Sequence, residues 1–167
     1  MYLEALATHP DAEVVAVCGR DYQRTHDFAD KYDVAAYHTD YRDLLDSDID
    51  AVVVSTPNHL HYPITMHALK NGLHVFCEKP LALTYAQADA MATEAKRRNL
   101  VNMTGFTYTF FPHYRYAAQL VREGYIGTPH HLNMRFYSMV GFDGSPSWRL
   151  DRRKGGEGAL AGIGAHL

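Results

Sequence analysis

The sequence predicts an α/β fold: a doubly wound parallel sheet followed by the opening of a second, α+β domain. Three observations predict it. Short apolar runs at 14–18, 35–38, 51–55, 73–77 and 101–104 alternate with segments of helical spacing. Several of these runs are apolar throughout rather than alternating, the pattern of a parallel strand covered by helices on both faces. The intervening segments have the length of crossover helices, so the strands pair in parallel.

Each element follows from its residues. Positions 2–8 resemble the tail of a helix that stops at His9-Pro10. After the 14–18 strand, Thr25, Phe28, Ala29 and Tyr32 fall at i, i+3, i+4 and i+7, with Asp21 placed to cap the helix. A helix over roughly 60–71, stopped at Gly72, links the runs at 51–55 and 73–77. Thr84-Tyr85-Ala86-Gln87 has capping-box form, and Ala88, Met91, Ala92 and Ala95 mark an apolar stripe behind it. Tyr114, Ala117, Ala118 and Val121 repeat the pattern up to a stop at Gly124. From Gly127-Thr128-Pro129 the texture changes. Residues 131–139 mix polar and aromatic side chains as in a half-exposed strand, 141–146 are turn-rich, and Gly155-Gly156-Glu157-Gly158 opens an apolar helix. The chain therefore divides into 1–124 and 125–167.

A doubly wound sheet places a strand and a glycine-rich turn before its first helix, and neither stands ahead of residue 14. The expectation is a chain shortened at both ends. Without that central strand, 14–18 and 51–55 lack their shared neighbour, so the 167 residues alone are expected to fold poorly and to have doubtful activity.

Composition narrows the function. A net charge of −3 gives no basic footprint for nucleic acid or for an anionic membrane surface, and no apolar run approaches membrane-spanning length. Cys18 and Cys77 each end an apolar stretch, as buried, reduced thiols of a cytoplasmic protein would. The 11 histidines include no set at metal-ligand spacing, so no metal site is expected.

Two strand ends carry the chemistry. The run at 51–55 leads into Thr56-Pro57-Asn58-His59-Leu60-His61, and the run at 73–77 into Glu78-Lys79-Pro80. Ligands of an open α/β sheet bind beyond the carboxyl ends of its strands, so two proline-stiffened polar turns, one crossover apart, should face one crevice.

The blocks Ala51-Val-Val-Val-Ser-Thr-Pro-Asn-His-Leu-His61, His74-Val-Phe-Cys-Glu-Lys-Pro-Leu81 and Gly155-Gly-Glu-Gly-Ala-Leu-Ala-Gly-Ile-Gly-Ala-His166 resemble, in order and spacing, the glucose–fructose oxidoreductase/inositol dehydrogenase family, usually called Gfo/Idh/MocA. The resemblance covers nearly the whole chain. It implies a Rossmann-type domain, and hydride transfer between a nicotinamide and a hydroxyl-bearing carbon of a sugar, polyol or related compound. By the same resemblance the strand end and turn Ser55, Thr56, Pro57 and Asn58 border the cofactor, and His61 lines the same cleft. Glu78 serves the ribose, Lys79 serves nicotinamide and substrate, and the bond before Pro80 is often cis. His166 is expected to move the hydroxyl proton and Lys79 to polarise the oxygen. Tyr108, among the aromatic residues after the run at 101–104, and Arg149, after Trp148, are candidate neighbours of the substrate, with packing as the alternative for both. Homo-oligomers belong to the full-length protein. Two departures stand out. Many members carry Asp four residues before the histidine, where Gly162 stands here. The second strand often ends in an acidic residue, where Cys18-Gly19-Arg20 stands here. An arginine where that strand-end carboxylate is missing suits a 2′-phosphate, which favours NADP over NAD. A dinucleotide-binding protein without catalysis, or an inactive fragment of an enzyme, are the alternatives.

Overall fold

A computed structural model describes residues 2–137 and 147–166. Helix α1 (Tyr2–Leu6) precedes strand β1 (Ala16–Cys18), helix α2 (Tyr22–Lys31), strand β2 (Ala36–His38) and helix α3 (Tyr41–Leu45). Strand β3 (Ala51–Val54), helix α4 (His61–Lys70), strand β4 (His74–Cys77), helix α5 (Tyr85–Arg98) and strand β5 (Asn102–Thr104) follow. The chain continues through α6 (Pro112–Arg122), α7 (Arg152–Gly155) and α8 (Ala159–Gly162).

The helix starts use the capping chemistry in the sequence. Asp21 accepts a hydrogen bond from Arg24 N at 2.8 Å, and Asp40 accepts from Arg42 N at 2.9 Å. Thr84 Oγ1 accepts from Gln87 N at 3.3 Å, while Gln87 Oε1 reaches back to Leu83 N at 3.2 Å. Helix α5 ends on Lys96, Arg97 and Arg98, which suit the negative end of its dipole, and on Asn99 in the left-handed conformation.

Strand pairing is parallel throughout. Strand β4 lies between β3 and β5, with Val54 opposite Cys77 and Cys77 opposite Thr104. Strands β1 and β2 form a separate pair. Among the described residues β1 therefore has one open side and so does β3, as expected for strands 14–18 and 51–55 without a common neighbour. Helices α4 and α5 pack on the Val54–Cys77 face of the larger sheet. There Val54, Ile64, Ala68, Leu69, Val75, Cys77, Met91 and Ala95 form the core with Leu44 and Leu45 of α3. Each large side chain buried there contributes about 1.5–3 kcal/mol relative to exposure.

The other face corrects an expectation. Apolar runs without alternation predict strands covered on both sides, yet Val53 is 36% and Met103 44% exposed. Val53, Phe76 and Met103 form one cross-strand row on that face. The ring of Tyr2 on the short α1 packs edge-on against Phe76, with centroids 5.3 Å apart. Five residues of helix are too short to cover the rest of the row. Cys18 is likewise exposed, not buried, because it ends β1; only Cys77 sits in the core. Burial pushes the Cys77 thiol up to about 11.

Two expectations beyond residue 124 are also corrected. Residues 131–137 form no strand with any of the described residues. The remainder of that stretch and the turn at 141–146 lie outside the described residues. The helix expected from 155 onward is broken into α7, α8 and a 3₁₀ turn at Gly164–His166. Gly156 and Gly158 adopt φ of +76° and +54°, which a continuous helix does not accommodate.

Candidate active site

The carboxyl ends of β3, β4 and β5 deliver three turns to one rim, because the strands are parallel and in register. From β3 comes Thr56-Pro57-Asn58, which tightens into a 3₁₀ turn before α4. From β4 comes Glu78-Lys79-Pro80, with a cis Lys79–Pro80 peptide. From β5 come Gly105, Phe106 and Tyr108.

The first two turns are tied by His61, whose side chain is fully buried. Its Nδ1 lies 2.8 Å from Pro80 O and its Nε2 2.8 Å from Thr56 O. His61 was expected to line the crevice; instead it sits beneath it, because both ring nitrogens are engaged by backbone on either side. Asn58 is likewise buried, at 7% exposure, and donates through Nδ2 to Gly155 O at 2.8 Å. Its amide thus fastens the glycine-rich segment of the second part to the first.

Lys79 makes the second fastening, donating from Nζ to Gly162 O. Its backbone N–H donates to Glu78 Oε2 at 2.9 Å, and the other oxygen of that carboxylate accepts from Tyr2 Oη. Burial first, and then the hydrogen bond to Glu78, raise the Tyr2 phenol well above its ordinary value. Burial is also the main cause of the lowered Lys79 value; Glu78 opposes it and the charge of Arg149 adds to it.

His166 closes the rim. Its ring stacks on Tyr108 with centroids 4.0 Å apart and planes 11° from parallel, and meets Phe106 edge-on at 6.2 Å. Burial first and the nearby Lys79 charge second lower its pKa, with Glu78 pulling the other way. The Nδ1 atom is buried and has no hydrogen-bond partner among the described residues. The pKa values of Lys79 and His166 are therefore both lowered, chiefly by burial. Such a pair can polarise an oxygen and exchange its proton.

A pocket of about 440 Å³ opens beside His166, lined by Tyr108, Thr109, Tyr114, Arg115, Ala118 and Arg122. That is within the size range of small-molecule sites. Arg115 and Arg122 were not singled out from the sequence. Their i, i+7 spacing on α6 would have placed them on one face, but α6 displays several basic and aromatic residues and nothing local says which side a pocket occupies. Arg149 stacks its guanidinium over Trp148 at 4.6 Å. Arg20 and Ser55 are exposed beyond β1 and β3. No group of His, Cys, Asp or Glu among the described residues is arranged to hold a metal ion.

Gly155 is required where it stands. A Cβ there would lie 2.6 Å from Arg149 O and 3.0 Å from Arg149 C, backbone atoms that cannot rotate aside. Gly155→Ala is expected to undock the 149–155 segment at a cost of about 1–3 kcal/mol. A lowered melting temperature in differential scanning calorimetry checks it; an unchanged one would show that the segment is not packed this way.

Comparison with known proteins gives a consistent result. The family model described as the oxidoreductase family, NAD-binding Rossmann fold, matches residues 1–106, and that of the GFO/IDH/MocA C-terminal domain matches 114–167. The levoglucosan dehydrogenase of Pseudarthrobacter phenanthrenivorans is 37% identical over 134 residues, covering 77% of this chain and 34% of that protein. The chain thus spans about a third of the length of this curated relative. A solved levoglucosan dehydrogenase in complex with NADH and levoglucosan superposes with a TM-score of 0.78 at 31% identity, covering 91% of this chain and 42% of that one. A 3-ketoreductase from Actinomadura kijaniata, in complex with TDP-benzene and NADP, superposes with a TM-score of 0.68 at 34% identity, covering 73% and 39%.

Proposed function

Since the chain belongs to the Gfo/Idh/MocA family of NAD-binding, Rossmann-fold oxidoreductases, we propose that it carries the nicotinamide side of a site that transfers a hydride between NAD(P) and a hydroxyl-bearing carbon of a sugar, polyol or related compound. The observation that carries this reading is the meeting of Lys79 from β4, Tyr108 from β5 and His166 at one rim.

The residues present suit a dinucleotide. Thr56 Oγ1 and His59 Nδ1 are buried at the rim without partners among the described residues, groups that a polar ligand would satisfy. Thr56 and Glu78 would hold the ribose, with Ser55, Pro57 and Pro80 as walls. Asn58 and His61 would support these turns from beneath. The cofactor supplies the hydride chemistry, and the protein fixes distance and handles the proton. Lys79 stabilises negative charge on the substrate oxygen, and the neutral ring of His166 accepts the hydroxyl proton in oxidation and returns it, once protonated, in reduction. Gly162 gives His166 no carboxylate partner one helical turn earlier, so the ring is oriented instead by its stack on Tyr108. The pocket beside His166 would take the substrate, and the charge of Arg149 acts on Lys79 nearby.

Arg20, exposed just beyond β1 with no acidic residue at the strand end itself, supports NADP over NAD. The unpaired thiols of Cys18 and Cys77 support a reducing, cytoplasmic setting. Among the described residues no helix is long and apolar enough to cross a membrane. We place the division between cofactor and substrate parts near residue 124, with self-association a property of the longer protein. The test is a sugar and polyol panel with NADP and NAD, following reduced nicotinamide by absorbance. Turnover with a lower KM for NADP is expected. Dinucleotide binding without turnover on any substrate would favour the non-catalytic reading.

A further inference from the structure

We propose that His61 is a positioning residue: a double hydrogen-bond donor that locks the Thr56 turn to the Pro80 turn and so fixes where Lys79 stands. This deepens the oxidoreductase reading and rests on it for its consequence in catalysis, though not for its geometry.

The argument is one of hydrogen-bond accounting. A backbone carbonyl only accepts, and both ring nitrogens of His61 face one, each at 2.8 Å. A neutral imidazole has one N–H and one lone pair, so it can satisfy Thr56 O or Pro80 O but sets its lone pair against the other. Only a ring bearing hydrogens on both nitrogens makes both contacts hydrogen bonds. Those bonds are then charge-assisted. The ring is completely buried. The titratable groups on the elements around it are His59 on the first turn, Cys77 at the end of β4, and Glu78 and Lys79 on the second turn.

The leverage of this brace comes from its position. Thr56 O and Pro80 O belong to different strand-end turns, 24 positions apart in sequence but adjacent because β3 and β4 pair in register. Thr56 is two residues from Asn58, and Pro80 is one residue from Lys79. A shift in the brace is therefore passed directly to the two side chains that hold Gly155 and Gly162. Misplacement of a reacting group by about 1 Å can lower turnover about 100-fold.

The proton count is tested first on the native protein, by nitrogen-15 NMR of the histidine rings. One-bond N–H correlations at both Nδ1 and Nε2 of His61 are expected, and a bare nitrogen at either position would overturn the proposal. The positioning role is tested by His61→Phe, which keeps the ring volume and removes both donors. A 10- to 100-fold fall in kcat is expected in folded variant, with a smaller change in substrate KM. A folded variant with native kcat would overturn the role. If His61→Phe does not fold, the native spectrum still decides the proton count and hence the brace. Native protein that shows both correlations but turns over no hydroxylated substrate would sink the functional reading alone.

Discussion

Lys79→Ala is expected to lower kcat by about 100- to 1,000-fold, the scale on which removal of one preorganised donor acts on a developing oxyanion. Several features make this residue costly to lose. It is partly buried, so its charge is less screened than a surface ammonium. Its backbone is held by Glu78 and its Nζ by Gly162 O, so it waits in place rather than being gathered from solution. An ammonium has three donors, and the bond to Gly162 leaves others for a substrate oxygen. Because alanine also removes that bond, the melting temperature of the variant should be measured beside its kinetics. Lys79→Arg, which keeps the charge in a different shape, should fall between alanine and native. Native kcat in a folded Lys79→Ala protein would remove this residue from the mechanism.

His166→Asn is expected to lower turnover by about 100-fold or more and to abolish one limb of the pH profile. Burial and the Lys79 charge both lower the pKa of His166, so the neutral ring persists to lower pH than an ordinary imidazole, which titrates near about 6.5. Substrate oxidation needs that neutral ring. Its rate should therefore rise with pH through an inflection below about 6.5 and level off above it. Reduction needs the protonated ring and should decline through the same inflection. In His166→Asn both dependences should vanish. An oxidation inflection that survives the substitution would assign the proton to another group.

Much of the fold is written locally. Asp21 and Thr84 mark helix starts by chemistry that involves only near neighbours, and both cap where the sequence predicts. The apolar runs locate the five strands of the described residues to within two residues at either end. What depends on distant partners is less legible. An apolar run shows that a strand is sticky on both sides, not that a five-residue helix covers only Phe76 and leaves Val53 and Met103 open. A mixed polar and aromatic run at 131–137 has strand chemistry, but a strand exists only beside another.

The site divides in the same way. That Asn58 and Lys79 share a rim follows from two strand ends separated by one crossover. That Asn58 and His61 face inward does not, because their partners, Gly155 and Pro80, become neighbours only when the chain has folded. Tyr2 and Glu78, 76 positions apart, are a further case. Arg115 and Arg122 gain meaning only from the pocket that α6 helps to form.

The unequal placement of the two thiols makes the molecule easy to instrument. Cys77 is shielded inside the core, while Cys18 stands on the surface at the end of β1, beside Gly19 and Arg20. A maleimide-linked fluorophore would therefore mark one position in the native protein without any engineered cysteine. That position adjoins Arg20, proposed above to meet a 2′-phosphate, so on that proposal the dye would register the arrival of the adenosine end of a dinucleotide while absorbance follows the nicotinamide end.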